Sequence, residues 1–363
     1  MNPSLNQQTS QLFAPLTLRS LTLPHRLWLS PMCQYSCTEG LANHWHLVHL
    51  GARALGGAAL VMTEAAAIDP AGRISLQDAG IWSDDHVAAW QPVTKTIAEF
   101  GAFSAIQLAH AGRKAATWAP FLGHGPLTAE AGGWPVVGPS PLAFAPSWPE
   151  PHALTNTEIL IIIEQFAAAA LRSAAAGFDV VEIHAAHGYL LHQFLSPVSN
   201  QRRDGWGGDF AGRTRLLCDV VEAVRAVIPD GMPLLVRISA TDWIPGGWDL
   251  PDSVLLARKL APLGVDLLDV SSGGAGPHQR MTVGPGYQVP LARAIREQTG
   301  MPTAAVGLLT TAAACEDVVA SGGADAVFVG RPFLRDPHFG LRIAQELEAD
   351  IDWPAQYLRA KPF

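Results

Sequence analysis

Two imidazoles and a phenol lie close together near the middle of the chain. The segment VVEIHAAHGYLLHQFLSP, residues 180–197, begins with an apolar run that ends at His184, and His187 and Tyr189 follow at once. An imidazole N–H can donate a hydrogen bond to an oxygen that is becoming negative, and a phenol can donate a proton. The spacing predicts oxyanion and proton-transfer chemistry. The alternative is that these residues cap a strand and pack locally.

Eight short apolar runs along the chain predict strands. Seven of them follow a helical segment that ends in Gly, which accepts the left-handed conformation at a helix end. Their near-continuous apolar character is typical of parallel strands that are covered on both faces. The eight runs lie within residues 25–33, 52–65, 99–110, 175–186, 229–239, 262–273, 298–307 and 321–332.

The segments between these runs have helical periodicity. It is clearest at 155–177, where Thr155 or Asn156 can cap a helix and Glu158 is placed for a capping box. Eight β–α units favour a barrel over a doubly wound sheet, and no GxGxxG motif follows a strand. We therefore predict an α/β protein, a single-domain (β/α)8 TIM barrel over residues 1–363. Residues 114–154, rich in Pro, Gly and Trp, are predicted to be a long insertion after strand 3 that shapes a site.

Composition excludes several classes of partner. The net charge is −8 and no basic block is present, so no nucleic-acid partner is expected. No apolar run could cross a bilayer, so no membrane partner is expected. The N-terminus lacks a signal-peptide core, and the four cysteines show no pairing framework. These two features predict a cytoplasmic protein. No metal site is predicted. Cys33 and Cys37 lack a second cysteine pair, and the histidines of 43–49 have no acidic or cysteine partner close in sequence, so they are expected to pack a helix.

In a TIM barrel the active site lies at the carboxyl ends of the strands. The apolar runs deliver polar groups or Gly residues to that rim. In chain order the rim residues are Ser30, Pro31, Met32, Cys33 and Tyr35; Glu64 and Ala65; Gln107, His110 and Arg113; His184, His187 and Tyr189; Arg237; Ser271 to Gly274; Gly307; and Gly330 with Arg331.

Two features of this rim predict a phosphorylated ligand. Loops after strands 7 and 8 commonly bind phosphate, and Gly307, Gly330 and Arg331 supply backbone N–H groups and a bidentate cation there. Arg237 and Gln107 would lie in the barrel mouth, where a buried guanidinium needs acceptors. A planar, acceptor-rich ligand would satisfy both residues. The alternative is an ion pair between Arg237 and Glu182 or Glu64.

Six motifs give the chain a resemblance to the old yellow enzyme family of flavin-dependent ene-reductases, in its bacterial thermophilic-like subclass. They are SPMCQYS at 30–36, QLAHAGRKA at 107–115, VEIHAAHGYLLHQFLSPVSNQRRD at 181–204, GWGG at 205–208, FVGRPFLRDP at 328–337 and PAQYLR at 354–359. The resemblance implies a TIM barrel that binds FMN, takes electrons from NADPH or NADH, and reduces activated C=C bonds of enones and enals, and also nitro compounds.

The resemblance also implies roles for single residues. Ser30, Pro31, Met32, Cys33 and Ala65 would meet the flavin ring, Gln107 and Arg237 its pyrimidine edge, and Gly307, Gly330 and Arg331 the phosphate. Cys33 would tune the flavin, Tyr35 would bind substrate, His184 and His187 would hold its carbonyl, and Tyr189 would donate the proton. Arg359 would reach a neighbouring subunit's pocket in a homodimer or a dimer of dimers, or else the apolar tail from Trp353 to Phe363 would pack over its own barrel.

Two departures from the family and three other functions complete the expectations. Trp206 replaces the usual Tyr in GWGG, where it should affect packing only, and residues 117–150, with Trp118, Trp134 and Trp148, are longer than expected. One alternative is a dienoyl-thioester reductase that lacks its iron–sulfur portion, and another is a flavin-binding redox sensor. A barrel aldolase or isomerase would need a Lys or a carboxylate base at a strand end, for which only Glu64 is a partial candidate.

Overall fold

Eight parallel strands close into a barrel in the order in which they occur along the chain. The structure is a computed structural model that describes residues 10–361. The strands are β1 (Leu27–Leu29), β2 (Leu60–Ala67), β3 (Phe103–Ala109), β4 (Val180–Ala185), β5 (Leu234–Ser239), β6 (Leu267–Ser271), β7 (Thr303–Ala305) and β8 (Ala326–Val329). Seven of them fall within a run that the sequence predicts, while β2 extends two residues beyond its run of 52–65. Pairing of β8 with β1 closes the barrel.

Helices follow the strands on the outside of the barrel. They are α1 (His44–Leu55), α2 (Asp84–Glu99), α3 (Asn156–Ala175), α4 (Leu190–Leu195), α5 (Phe210–Val227), α6 (Leu250–Leu260), α7 (Val289–Thr299), α8 (Ala312–Ala320), α9 (Arg331–Arg335) and α10 (Phe339–Glu346). The predicted cap of α3 is confirmed: the Thr155 hydroxyl accepts from the Glu158 backbone N–H, and the Glu158 carboxylate accepts from the Thr155 backbone N–H. Such a reciprocal capping box stabilises a helix start by about 1 kcal/mol.

The barrel interior is apolar at one end and polar at the other. At the amino ends of the strands, a buried cluster includes Trp28, Leu60, Val180, Leu235 and Phe328. An N-terminal hairpin (Leu16–Leu18 with Leu21–Leu23) places Leu18 and Leu23 in the same cluster and closes that end. Side chains alternate between the two faces of a strand, so residues two and four positions further along also point inward. Many of those residues are polar, among them Ser30, Glu182, His184, Arg237 and Ser239.

The insertion after β3 has no α-helix between residues 110 and 155. It contains two 3₁₀ turns (Gly112–Lys114 and Ala129–Ala131) and a parallel pair of two-residue strands (Val137–Gly138 and His152–Ala153). Ala111, Ala115, Ala116 and Val136 form a small core that packs against Trp134 and Tyr189. The insertion therefore contacts the residue that the sequence predicts as the proton donor.

The histidines of 43–49 form part of α1, as expected, and one of them has partners from segments distant in sequence. His46 and His49 are buried. The Nε2 atom of His46 lies 3.0 Å from a Glu64 carboxylate oxygen and 3.4 Å from the Cys37 sulfur. Sequence distance concealed these contacts, because β2 and the loop after β1 supply the partners.

Trp206 is buried and lies under the Arg215 guanidinium, 4.3 Å away, as its predicted packing role requires. All four cysteines are unpaired. Within residues 10–361 no group of three or more His, Cys, Asp and Glu side chains is arranged to hold a metal ion. The same described part of the chain has no helix with the length and hydropathy needed to span a membrane.

Candidate active site

The two imidazoles from β4 and the loop after it converge on one point. His184 Nε2 and His187 Nδ1 are 3.4 Å apart, and the rings cross nearly at right angles with centroids separated by 5.2 Å. His184 Nδ1 accepts from the Ala186 backbone N–H, so a neutral His184 carries its proton on Nε2. That N–H points toward the position that both rings share. One oxygen atom there could contact both nitrogens.

Neighbouring strands fix the position of His187. Its backbone N–H donates to the Ser239 hydroxyl at the end of β5, and its Nε2 lies 2.7 Å from the Ser271 hydroxyl at the end of β6. Gln288 Oε1 already accepts a 2.7 Å bond from Ser272 and lies 3.2 Å from Ser271. The Ser271 proton is therefore better placed to donate to His187 Nε2, and His187 then carries its own proton on Nδ1, facing His184.

Tyr189 stands beside this pair. Its ring lies 5.0 Å from the His184 ring, nearly perpendicular to it. The intervening residues have left-handed backbone, with φ of 59° at His187 and 74° at Gly188. A Cβ at position 188 would lie 2.0 Å from the Gly274 carbonyl oxygen, so only Gly fits there. This tight turn brings two rings and a phenol to the same side of the barrel mouth.

The protonation states of these groups suit hydrogen-bond donation. Burial, and then the Arg237 cation, lower the pKa of His184 and of His187 well below its ordinary value, so both rings are neutral at neutral pH. Burial also raises the pKa of Tyr189 well above its ordinary value, and Cys33, Tyr35 and Asp78 act in the same direction. Tyr189 therefore holds its proton until a strong acceptor is present.

The floor of the site is a buried ionic cluster. Arg237 Nε lies 2.9 Å from an Asp269 oxygen, and Gln107 Nε2 donates 2.7 Å to Glu182. The alternative in which Arg237 pairs with Glu182 or Glu64 was wrong, because Asp269 is directly beside Arg237 in the register of β5 and β6. Burial is the main cause that raises the pKa of Glu182 and of Asp269, with Arg237 opposing it in both.

A cavity of about 240 Å³ leads from this cluster to the ends of β7 and β8. Its walls include Ser30, Met32, Arg237, Gly307, Gly330 and Arg331, all predicted to bind the cofactor. Gly307 has φ of 126°, and a Cβ on Gly330 would lie 3.1 Å from the Met32 sulfur. Both positions leave the backbone open to a ligand, which a larger residue would obstruct.

The residues present fit FMN. Within residues 10–361, the terminal nitrogens of Arg237 and the Gln107 carbonyl oxygen make no hydrogen bond. They are a donor set and an acceptor for the polar edge of a flavin ring. Arg331 is exposed at the other end of the cavity, with no ion pair in the described part of the chain, and can bind a phosphate there.

Cys33 and Tyr35 approach the mouth from the loop after β1. A bulge in β2 between Met62 and Ala65 turns Glu64 outward, where one oxygen accepts from the Gln34 backbone N–H at 2.8 Å. This bond fixes the chain directly after Cys33. Burial, then the Asp78 and Glu64 carboxylates, raise the thiol pKa well above its ordinary value, so Cys33 is a neutral thiol.

Arg359 is the one predicted site residue that the fold does not bring to the mouth. It is exposed in a 3₁₀ helix, Ala355–Ala360, near the amino ends of the strands. Trp353 and Tyr357 line a larger cavity there, of about 780 Å³, with Phe13, His25 and Phe100. None of the residues predicted for chemistry lines that cavity. Phe363 lies outside the described residues.

Sequence reasoning did not assign roles to Asp269, Ser239, Ser271 or Lys114. Strand periodicity could have found the first three, since Asp269 and Ser271 alternate with apolar residues in LLDVS, as Arg237 and Ser239 do in LLVRIS. Lys114 gave no such signal. It lies in the irregular insertion, yet its Nζ is 5.0 Å from the Tyr189 ring centroid.

Comparison with known proteins agrees with this geometry. An NADPH dehydrogenase of Geobacillus thermodenitrificans (strain NG80-2) is 45% identical over 354 residues, which covers 97% of this chain and 99% of the relative. A solved structure of morphinone reductase matches with a TM-score of 0.79 at 27% identity, over 96% of this chain and 93% of that one.

A third match shows the fold alone. The complex of 2-naphthoyl-CoA reductase with 2-naphthoyl-CoA has a TM-score of 0.85 at 24% identity, and the matched region is 93% of this chain but only 52% of that protein.

Residues 11–350 match the family described as the NADH:flavin oxidoreductase / NADH oxidase family. The chain belongs to this family and is an FMN-dependent oxidoreductase.

Proposed function

We propose that the protein reduces the activated C=C bond of α,β-unsaturated carbonyl compounds, with NADPH as the reductant. The observation that carries the proposal is the separation of 3.4 Å between His184 Nε2 and His187 Nδ1. Two N–H donors at that spacing can hold one carbonyl oxygen beside the flavin cavity. The similarity to the Geobacillus NADPH dehydrogenase supports NADPH as the reductant. The four unpaired cysteines support a cytoplasmic location.

The residues of the chain perform three tasks in this reaction. When bound, FMN supplies the two-electron step, which carries hydride from the nicotinamide to the substrate Cβ. His184 and His187 stabilise the negative charge that builds on the carbonyl oxygen, as an oxyanion hole does. The Tyr189 O–H bond then breaks, a C–H bond forms at Cα, and a phenolate remains until solvent returns a proton. Nitro-activated alkenes offer the same pair of donors a nitronate oxygen.

A variant without both imidazoles tests the proposal. His184→Ala/His187→Ala should retain FMN but lose phenol binding, since a bound phenolate mimics the enolate. Turnover of 2-cyclohexen-1-one should fall by at least ~100-fold, the usual cost of one lost oxyanion donor. His152→Ala is the matched control, because that histidine pairs with Glu158 on the surface. Retention of both phenol binding and enone turnover by the double variant would show that another site binds the substrate.

We further propose a homodimer, or a dimer of dimers, in which Arg359 enters the mouth of the neighbouring subunit. Support comes from the subclass motif around Arg359 and from its exposed position, away from its own mouth. Mixed dimers of Arg359→Ala and His184→Ala/His187→Ala chains then contain one intact site and regain activity. With subunit exchange confirmed, activity at the mean of the two parents would show that Arg359 serves its own subunit or none.

A further inference from the structure

Lys114 is an ammonium group without a counter-ion at the edge of the active site. Its Nζ donates to the His187 carbonyl oxygen at 2.8 Å and lies 3.4 Å from that of Gly274. No carboxylate pairs with it in the part of the chain that the structure describes, and the nearby charged group that affects it is Arg113, also a cation. Desolvating an unpaired ammonium is costly. A structural hydrogen bond alone therefore does not explain why a lysine occupies this position.

Two aromatic rings enclose the ammonium. Nζ lies 4.7 Å from the ring centroid of Phe144, in the insertion, and 5.0 Å from that of Tyr189. The same group thus touches the backbone that turns His187 into the mouth and the ring of the predicted proton donor. A positive charge over the Tyr189 ring attracts the negative charge that a phenolate shares between its oxygen and its ring, in a site of low effective dielectric.

We infer that Lys114 is a positioning residue for the reduction, which holds the Tyr189 ring against the His187 turn and stabilises the phenolate left after Tyr189 gives its proton to Cα. The inference rests on the proposed function. Burial, Cys33, Tyr35 and Asp78 all oppose a negative Tyr189, so a nearby cation offsets this opposition. The same charge also helps to keep His184 and His187 neutral.

The substitution Lys114→Met keeps an unbranched side chain that is one heavy atom shorter and removes the charge. We expect it to slow reoxidation of reduced holoenzyme by 2-cyclohexen-1-one about 10-fold or more in single-turnover mixing, to increase the solvent isotope effect on that step, and to leave flavin reduction by NADPH unchanged. Lys114→Arg should restore the rate. Lys259→Met is the matched control, because Lys259 is partly buried on α6 and bonded to Thr214.

A double-variant cycle separates this role from a structural one. In a Tyr189→Phe background, Lys114→Met should cause little further loss, since no phenolate forms. Equal losses in both backgrounds, or full activity of Lys114→Met alone, would overturn the inference. If Tyr189→Phe itself fails to slow reoxidation, the proposed proton donor is wrong, which is a separate result.

The pH profile of reoxidation provides a second readout. Burial, and then Arg113, lower the pKa of Lys114 to about 8. The reoxidation rate should therefore fall as pH rises through this value in the wild-type enzyme, and this fall should disappear in Lys114→Arg. Glu182, whose pKa is raised by burial, can also titrate in this range, but its contribution would remain in Lys114→Arg. An identical profile for wild type and Lys114→Arg would contradict the inference.

Discussion

Ser271→Ala tests the hydrogen bond that selects the working tautomer of His187. The Ser271 hydroxyl lies 2.7 Å from His187 Nε2, and no other side chain bonds that nitrogen within residues 10–361. Without it, His187 is free to carry its proton on Nε2 and to accept from His184 through Nδ1, 3.4 Å away. In that tautomer one of the two donors to the substrate oxygen is lost.

The expected loss lies between two limits. A single neutral hydrogen bond contributes about 1 kcal/mol, or a factor of about 5. Complete removal of an oxyanion donor costs about 2.7–4 kcal/mol, or at least ~100-fold in rate. We therefore expect Ser271→Ala to weaken phenol binding and to reduce kcat/KM for 2-cyclohexen-1-one by about 5- to 100-fold. Ser271→Thr keeps the hydroxyl and should recover most of the loss.

The assay begins with the FMN content of each variant, because Ser271 also lines the flavin cavity. Phenol titration of the visible flavin spectrum then measures the dissociation constant, and stopped-flow mixing measures reoxidation. Ser104→Ala is the matched control, since Ser104 is a buried strand serine whose hydroxyl bonds Asp179 and not His187. If Ser271→Ala and Ser104→Ala behave alike with FMN bound, the tautomer argument is wrong.

Three further substitutions have defined outcomes. Tyr189→Phe should slow reoxidation by enones while flavin reduction by NADPH continues. Reoxidation by nitroalkenes should slow less, because a nitronate can be protonated in solvent. Equal losses in both half-reactions would indicate a structural role. Cys33→Ala should shift the flavin reduction potential without abolishing turnover, whereas an inactive variant with FMN bound would favour covalent chemistry. Because the pKa of buried Glu182 is raised, the folded protein loses stability as pH rises from the ordinary carboxyl range through the raised value. Glu182→Gln should therefore increase the free energy of unfolding by about 1–3 kcal/mol at about pH 9 and leave it unchanged at about pH 4. Chemical denaturation of both proteins at the two pH values measures this. The same difference between variant and wild type at both pH values would show that ionisation of Glu182 is not the cause.

Local patterns were sufficient to predict the barrel and much of its rim. Each strand of the closed sheet overlaps a run predicted from its apolar character, and seven of these runs follow a Gly junction. Burial on both faces of a strand leaves this clear signature. His184, His187 and Tyr189 were identified from their spacing, since all three lie within the short segment 184–189 after an apolar run. Gly307 and Gly330 were identified because the loops after the last two strands of a TIM barrel commonly bind phosphate through exposed backbone N–H groups.

Contacts between distant segments were not predictable in the same way. The pairing of Arg237 with Asp269 depends on the register of two strands, and that of His46 with Glu64 depends on a bulge in β2. Lys114 reaches Tyr189 only because an irregular segment folds back over the mouth. Such contacts arise from closure of the barrel, and a single sequence gives no direct record of it.

An anaerobic single turnover tests the proposed function most directly. Holoenzyme is reduced with one equivalent of NADPH and mixed with excess 2-cyclohexen-1-one, while the visible spectrum and the product are followed. The proposal predicts that the oxidised flavin spectrum returns without oxygen and that one equivalent of cyclohexanone forms. A flavin that stays reduced with the enone, and is reoxidised only when oxygen is admitted, would contradict the proposal and favour a redox-sensing role.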